Sequence, residues 1–162
     1  MSSHHYFIDG YNLLFKIPGK FRSLEAKRRS LLKFLEAKIS QKKLHATIVF
    51  DGAQKDPLES SYSHFKNLEV VYTAANQSAD EFIVAAVSQS SAREKVITSD
   101  RELAMRCQLL KAETEDIPTF LAFLVKPSKQ SRKEKTPLQE SPSQIARYLR
   151  IFEELLKDSN YE

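Results

Sequence analysis

The sequence predicts an α/β fold in which helices cover both faces of a mainly parallel central sheet. Short runs of β-branched and aromatic residues alternate along the chain with amphipathic helical segments, which is typical of βαβ units. Aspartates follow several of these runs directly. The chain has 162 residues, of which 41% are apolar, so we expect a single domain with one core.

Five segments have the composition of buried strands. Val, Ile, Phe and Tyr are frequent in most of them, and the Asp-Gly pairs at 9–10 and 51–52 are typical of turns that end the first two. The polar segment 53–67 is interpreted as a loop with some helix. The predicted strands are 6–8, 46–50, 68–72, 95–98 and 112–115.

Capping residues mark the expected helix starts. Ser23 is the predicted N-cap of a helix over 24–43. Ser78 and Ser99 each stand three residues before a Glu, which is the spacing of a capping box, and they predict two further helices. Pro118 suits the first turn of another helix.

The composition changes after residue 125, and this change suggests how the chain is organised. We expect residues 1–125 to form the folded domain. Residues 126–141 are rich in Lys, Ser, Pro and Gln and predict a basic flexible linker or arm. Residues 142–162 carry apolar side chains at helical spacing and predict a C-terminal helix.

Several function classes are excluded by counts of single residue types. The glycines Gly10, Gly19 and Gly52 are too far apart for a phosphate-binding loop or a dinucleotide fingerprint. A lone cysteine, Cys107, rules out an internal disulfide and a thiolate zinc cage. The longest strictly apolar runs have six residues, which is too short to span a membrane. We therefore expect a soluble, cytoplasmic protein with no membrane partner.

The net charge of +4 is distributed unevenly. Residues 16–45 carry ten Lys or Arg and two Glu, and residues 126–135 carry five basic residues and one Glu, so the rest of the chain is acidic. This pattern is typical of a polyanion-binding protein with a metal-binding centre. Charge runs are usually solvated, however, so a solvated helix face beside a basic linker explains the same pattern.

Four aspartates are expected at one edge of the predicted sheet. Asp9, Asp51 and Asp100 follow strands, and Asp80 lies in the first turn of the helix after a strand. The carboxyl ends of parallel strands meet at one edge, where sites in such sheets lie. Clustered carboxylates repel one another, and a hard cation such as Mg²⁺ relieves that repulsion. Asn12 adds a neutral polar group there.

Each aspartate alone also has a structural explanation. Asp-Gly pairs are common turn residues, and Asp80 and Asp100 could cap helices or complement their dipoles. The occurrence of four aspartates from separate segments at one sheet edge, next to a basic segment, favours a functional site.

The same residues carry a resemblance to a known family. The blocks Asp9-Gly10-Tyr11-Asn12-Leu13, Phe50-Asp51, Ser78-Ala79-Asp80-Glu81 and Thr98-Ser99-Asp100 resemble the bacterial YacP-like branch of the NYN domain family. The resemblance covers about residues 6–125. It implies a PIN-like three-layer α/β/α sandwich, metal-dependent RNA endonuclease activity, and a partner role for the ribosome. It also implies a metal-site role for Asp9, Asp51, Asp80 and Asp100, supported by Asn12.

The leading hypothesis is hydrolysis of RNA phosphodiester bonds with Mg²⁺ or Mn²⁺. Asp9, Asp80 and Asp100 would hold the main cation, Asp51 would complete the site or hold a second ion, and Asn12 would orient a water or a carboxylate. Two other hypotheses stay open: a catalytically inactive RNA- or ribosome-binding module, and a PIN-like DNA or flap nuclease.

Basic and aromatic residues near these aspartates are candidates for contacts with RNA, expected to be single-stranded. Arg28, Arg29 and Lys33 belong to the basic helix and would contact the RNA backbone. Arg101 could contact a phosphate or simply point outward from its helix. Tyr11 could stack on an unpaired base or pack beneath the edge of the sheet.

Overall fold

The computed structural model of the protein describes residues 4–52, 61–90, 93–126 and 150. Most of the predicted arm at 126–141 and of the predicted C-terminal helix at 142–162 therefore lies outside the described residues. Among the residues that are described, no helix is long and apolar enough to cross a membrane.

A six-stranded sheet in the order β3-β4-β2-β1-β5-β6 forms the centre of the fold. Five of its strands are parallel, and β3 pairs antiparallel with β4 at one edge. The predicted α/β class is confirmed. The strands are β1 (His5–Asp9), β2 (His45–Phe50), β3 (Ser61–Phe65), β4 (Leu68–Tyr72), β5 (Glu94–Ile97) and β6 (Glu113–Glu115).

Among the described residues, five helices lie on the two faces of the sheet and complete three layers. The first, second and fifth helices pack with Ile8, Ile48 and Val70 on one face, and the third and fourth pack with Val49 and Val96 on the other. The helices are α1 (Gly10–Lys16), α2 (Leu24–Gln41), α3 (Ala79–Gln89), α4 (Arg101–Leu109) and α5 (Ile117–Val125).

Two elements differ from the sequence-based predictions. The Asp-Gly pair at 9–10 begins α1 instead of forming a turn. A Cβ atom on Gly10 would lie 2.5 Å from the Phe50 ring, so α1 can pack this closely on the sheet only with glycine there. The polar segment predicted as a loop contains β3, which turns into β4 at Lys66 with a φ of 50°. A hairpin turn without glycine carries a weak sequence signal.

The register of the parallel strands sets the position of the candidate residues. Asp9 pairs with Val49, and Ile8 pairs with Ile97. The residues that follow β1, β2 and β5 therefore emerge at the same edge of the sheet, which we call the carboxyl edge. Sequence-local turn chemistry alone could not fix this alignment, because it depends on strand pairing.

Candidate active site

Three of the four predicted aspartates line one cleft at the carboxyl edge. Asp9 is the last residue of β1, Asp51 follows β2, and Asp80 is the second residue of α3. We call this space, of about 500 Å³, the carboxylate cleft. The other described residues that line it are Tyr11, Phe15, Leu24, Ser78 and Ala79.

Asp100 lies beside the carboxylate cleft. It lines a neighbouring depression together with Thr98 and Arg101. Its charge still acts on the cleft, since it contributes to raising the pKa values of both Asp9 and Asp80. The structure thus brings Asp9, Asp51 and Asp80 together in one space and places Asp100 within electrostatic range of two of them.

Asp9 is the most buried of the four carboxylates, with 7% of its surface exposed. Burial, followed by the charge of Asp80, raises the pKa of Asp9 to about 6. A hydrogen bond donated by the Thr98 hydroxyl to Asp9 Oδ2, at 3.2 Å, opposes this rise. Asp9 is therefore mainly ionised at neutral pH, but at an energetic cost.

Asp80 occupies a well-defined first turn of α3. Ser78 caps the helix: its Oγ accepts from the Glu81 N–H at 3.1 Å, and Glu81 Oε2 accepts from the Ser78 N–H at 3.4 Å. This confirms the predicted capping box and means that Asp80 is not the cap. Burial and then the charge of Asp100 raise the pKa of Asp80, and Arg106 opposes the rise.

The cap of α4 differs from the predicted one. Asp100, not Ser99, is the N-cap: Asp100 Oδ1 accepts from the N–H groups of Glu102 at 2.9 Å and Leu103 at 3.4 Å. The Ser99 hydroxyl instead accepts from the Ile117 N–H at 3.3 Å, joining this loop to α5. One Asp100 oxygen is thus occupied by the helix that it begins.

Thr98 belongs to a block that carries the family resemblance, but the sequence analysis assigned it no role in the site. Its hydroxyl accepts from the Asp100 N–H at 3.0 Å and lies 3.2 Å from Asp9 Oδ2 and 3.4 Å from Asn12 Oδ1. Asn12 Oδ1 also accepts from the Ser99 N–H at 2.7 Å. Asn12 and Thr98 therefore tie α1 to the loop after β5 and orient Asp9. A threonine two residues before a helix-starting aspartate is the available sequence signal.

Gly52 fixes the loop that carries Asp51. The Gly52 N–H donates to Thr73 Oγ1 at 3.2 Å, and the Thr73 hydroxyl donates to the Gln77 carbonyl at 2.8 Å. A Cβ atom on Gly52 would lie 1.8 Å from the Thr73 carbonyl oxygen. The loop after β2 and the loop before α3 are thus held together, and with them Asp51 and Asp80.

Arg28 does not lie on the exposed basic face predicted for it. Only 9% of its surface is exposed, and it donates a hydrogen bond to the Tyr11 hydroxyl at 3.2 Å. Its guanidinium carbon lies 5.5 Å from the Tyr72 ring centroid and 6.0 Å from that of Phe50. Arg28 and Asp51 both line a second depression next to the carboxylate cleft.

The other predicted RNA-binding residues are exposed. Arg29 and Lys33 lie on the outer surface of α2, where Arg29 is 3.6 Å from Glu25. Arg101 is exposed at the start of α4 and lines the depression that contains Asp100. These three side chains are placed where a polyanion could reach them.

The donor set of the carboxylate cleft fits a hard divalent cation. Its charged groups are carboxylates, and the pKa values of Asp9 and Asp80 are raised partly by neighbouring carboxylate charge. Within the described residues, no three His, Cys, Asp or Glu side chains form a ready-made metal cluster. Mg²⁺ does not require such a cluster, because it typically takes one or two carboxylates and fills its other positions with water and substrate phosphate.

The family model of the YacP-like NYN domain matches residues 6–154. The chain belongs to the YacP-like NYN domain family. The match extends past residue 125 into the segments predicted as an arm and a C-terminal helix. Family membership indicates a nuclease-type function related to RNA, and domains of this kind generally use divalent metals.

Solved structures of Rae1 (YacP) from Bacillus subtilis have the same PIN-like fold. One, of a tryptophan-to-leucine mutant, is 19% identical with a TM-score of 0.61, and the match covers 97% of this chain and 89% of that one. Another is 23% identical with a TM-score of 0.57, covering 98% and 82%. No curated protein sequence matches the chain significantly.

Proposed function

We propose that this YacP-like NYN domain is a metal-dependent endoribonuclease that acts in the cytoplasm. The observation that carries the proposal is the convergence of Asp9, Asp51 and Asp80 on one cleft at the carboxyl edge. Burial and neighbouring carboxylates raise the pKa values of Asp9 and Asp80 there, which means that they destabilise the ionised forms of both side chains. A purely structural or RNA-binding surface would gain nothing from negative charge concentrated where phosphates must approach.

One or two of Asp9, Asp51 and Asp80 would hold Mg²⁺ or Mn²⁺ directly and the others through water, with Asp100 contributing from the adjacent depression. A cation bound there would polarise the phosphoryl group and activate water for hydrolysis. The protein's own contribution is to present ionised carboxylates in fixed positions. Asn12 and Thr98 orient Asp9 through hydrogen bonds, and the Ser78 cap fixes the helical turn that carries Asp80.

Arg29, Lys33 and Arg101 would contact the phosphates of the RNA and contribute affinity. Arg28 supports this surface indirectly, because its guanidinium holds Tyr11 at the boundary between the two depressions. Presentation of the RNA by the ribosome is an extension of the proposal, which co-sedimentation of the non-cleaving protein with ribosomes would test.

A substrate panel of single-stranded RNA, structured RNA and DNA, assayed with and without EDTA, tests the proposal. We expect RNA cleavage at internal positions that EDTA abolishes and that Asp80→Asn lowers by about 100-fold or more. Glu113→Gln is the matched control, because Glu113 lines a cavity other than the carboxylate cleft. RNA binding without cleavage would instead favour an inactive module, and faster cleavage of DNA would favour a DNA nuclease.

A further inference from the structure

Phe15 is an aromatic side chain placed in water at the edge of the carboxylate cleft. It is 67% exposed and lines the cleft together with Asp9, Asp51 and Asp80. Met105 and Leu109 on α4 are similarly exposed, at 63% and 79%, but they do not line this cleft. Isolated exposed apolar residues are ordinary, whereas one that lines a carboxylate cleft calls for an explanation.

The neighbouring Tyr11 holds Phe15 in a defined orientation. The two rings lie four residues apart on α1 and stack with centroids 5.7 Å apart and an interplanar angle of 17°. Tyr11 is itself fixed by the Arg28 hydrogen bond and by an edge contact with Phe50 at 5.1 Å. The result is a supported aromatic stack whose outer member is Phe15.

We propose that Phe15, supported by Tyr11, stacks on an unpaired nucleobase next to the phosphodiester bond held at the carboxylate cleft. This inference rests on the proposed function and specifies the substrate as single-stranded RNA. A base in a duplex is already stacked on both faces, so it cannot use the platform unless it is flipped out. Every base has a π-face, so the contact selects unpaired RNA without selecting a particular base.

A nucleobase fits this position better than an apolar peptide does. The cleft beside Phe15 is negatively charged and suits a cation with a phosphate, while Lys16, Lys20 and Arg22 follow Phe15 in an exposed, basic segment. A nucleotide carries two groups that suit this surface. Its flat aromatic base can stack on the Phe15 ring, and its phosphate can interact with the cation and with the basic segment. An apolar peptide could pack on the apolar lining residues Tyr11, Phe15, Leu24 and Ala79, but it has no phosphate to meet a cation at the three carboxylates of the cleft.

The chain lacks tryptophan, so a single introduced Trp can report on the platform. In full-length protein carrying Asp80→Asn to prevent cleavage, Phe15→Trp should retain stacking, and single-stranded RNA should quench its fluorescence. Leu109→Trp in the same background is the matched control and should not respond. Equal responses of the two reporters would overturn the inference.

Affinity measurements give a second, independent test in the same background. We expect Phe15→Ala to weaken single-stranded RNA binding by about 5- to 150-fold. An RNA that lacks one base should bind similarly more weakly than the intact RNA to the protein that keeps Phe15. The same change in the RNA should hardly alter the affinity of the Phe15→Ala variant. Phe15→Leu should behave like Phe15→Ala, because it keeps apolar volume without a π-face. Leu109→Ala should bind like the parent, and all variants should bind duplex RNA equally.

Unchanged affinity of Phe15→Ala for single-stranded RNA, with normal cleavage by the unmodified protein, would overturn the inference and leave the proposed function intact. Full retention of binding by Phe15→Leu would also overturn it and indicate apolar docking. A base-dependent interaction that Phe15→Ala abolishes, found together with no cleavage by the unmodified protein, would support stacking and overturn the nuclease proposal.

Discussion

The ionisable residues at the two ends of the parallel strands have opposite electrostatic surroundings. Strand β1 contributes a residue to each end: His5 where the strands begin and Asp9 at the carboxyl edge. At the edge where the parallel strands begin, His5 Nε2 lies 2.8 Å from the Thr47 hydroxyl, which donates to Glu69 at 3.3 Å. The Glu69 and Glu94 charges oppose the lowering of the His5 pKa by burial. At the carboxyl edge, burial raises the pKa of Asp9, and the charges of Asp80 and Asp100 add to this rise instead of opposing it.

This difference distinguishes ionisable groups that stabilise the fold from ionisable groups that lower its stability. A buried polar group that has hydrogen-bond partners and opposite charges nearby contributes to stability. Like charges gathered in a cleft reduce stability and persist where they serve a ligand or a reaction. The carboxyl edge therefore differs from the opposite edge in its energetics, and this difference supports the function proposed for it.

The largest expected effect is at Asp9. Folding raises its pKa from 3.8 to about 6, so the folded state binds the proton more tightly than the unfolded state does. The free energy of unfolding therefore falls as pH rises from about 4 to about 6 and stays lower above that range. In EDTA at pH 7.5, Asp9→Asn should raise the free energy of unfolding by up to about 3 kcal/mol. With Mg²⁺ present, the same substitution should abolish nuclease activity.

Urea unfolding of both proteins at pH 7.5 and near pH 4 measures this effect. The gain should shrink to about 0.5 kcal/mol near pH 4, where Asp9 is protonated in the folded protein and nearly half protonated in the unfolded chain. Glu113→Gln is the control and should show no such gain. A less stable Asp9→Asn protein at pH 7.5 would mean that Asp9 is a structural residue.

At the opposite edge, Thr47→Val should have the reverse sign. It removes the hydroxyl that joins His5 to Glu69 and leaves two partly buried polar groups without that partner. We expect the free energy of unfolding to fall by about 1–3 kcal/mol with no change in turnover. Urea unfolding and a nuclease assay measure the two effects. A neutral Thr47→Val would show that the two edges do not differ as described.

Within the carboxyl edge, caps and ligands can be separated by neighbouring substitutions. Ser78→Ala removes the N-cap of α3 and should lower the free energy of unfolding by about 1 kcal/mol. Ser99→Ala should cost less, because Ser99 accepts a longer bond from Ile117 and does not cap α4. Thermal unfolding ranks the two variants, and the reverse ranking would contradict the capping assignments.

The smallest effect is expected from the exposed basic residues of α2. Arg29→Gln with Lys33→Gln should reduce the salt dependence of RNA binding by about 0.7 in log K against log salt for each phosphate that the variant no longer binds. Turnover at saturating RNA should stay constant, since these side chains bind ground and transition states equally. Lys111→Gln is the control, because Lys111 lines a different cavity. An unchanged slope would place this face of α2 away from RNA.

The sequence predicted the parts of the fold that depend on local pattern. Strands such as 46–50 and 68–72 are short apolar runs, and Ser78 is followed by its capping-box partner, so hydrophobicity and spacing suffice to find them. Strand β3 was missed because its polar composition carries no burial pattern and its turn at Lys66 lacks glycine.

The parts of the site that depend on long-range contacts could not be predicted. Arg28 lies on a basic helix, and only the fold brings Phe50 and Tyr72 from other segments to cover it. Ser99 and Asp100 are both residue types that favour the N-cap position. In the structure Asp100 is the N-cap of α4, and its N–H group donates a hydrogen bond to the Thr98 hydroxyl. Competing local solutions of this kind are decided by tertiary context.

Gly10 and Gly52 follow Asp9 and Asp51 directly. Neither glycine carries a reactive group, but a substitution of either one would disturb the carboxylate cleft. A methyl group on Gly10 would meet the Phe50 ring at 2.5 Å, and one on Gly52 would meet the Thr73 carbonyl at 1.8 Å. In a saturation library selected for activity, both glycines would therefore be as invariant as the aspartates beside them. A parallel selection for protein abundance would distinguish the two groups, because substituted glycines would be depleted in both screens and substituted aspartates only in the first.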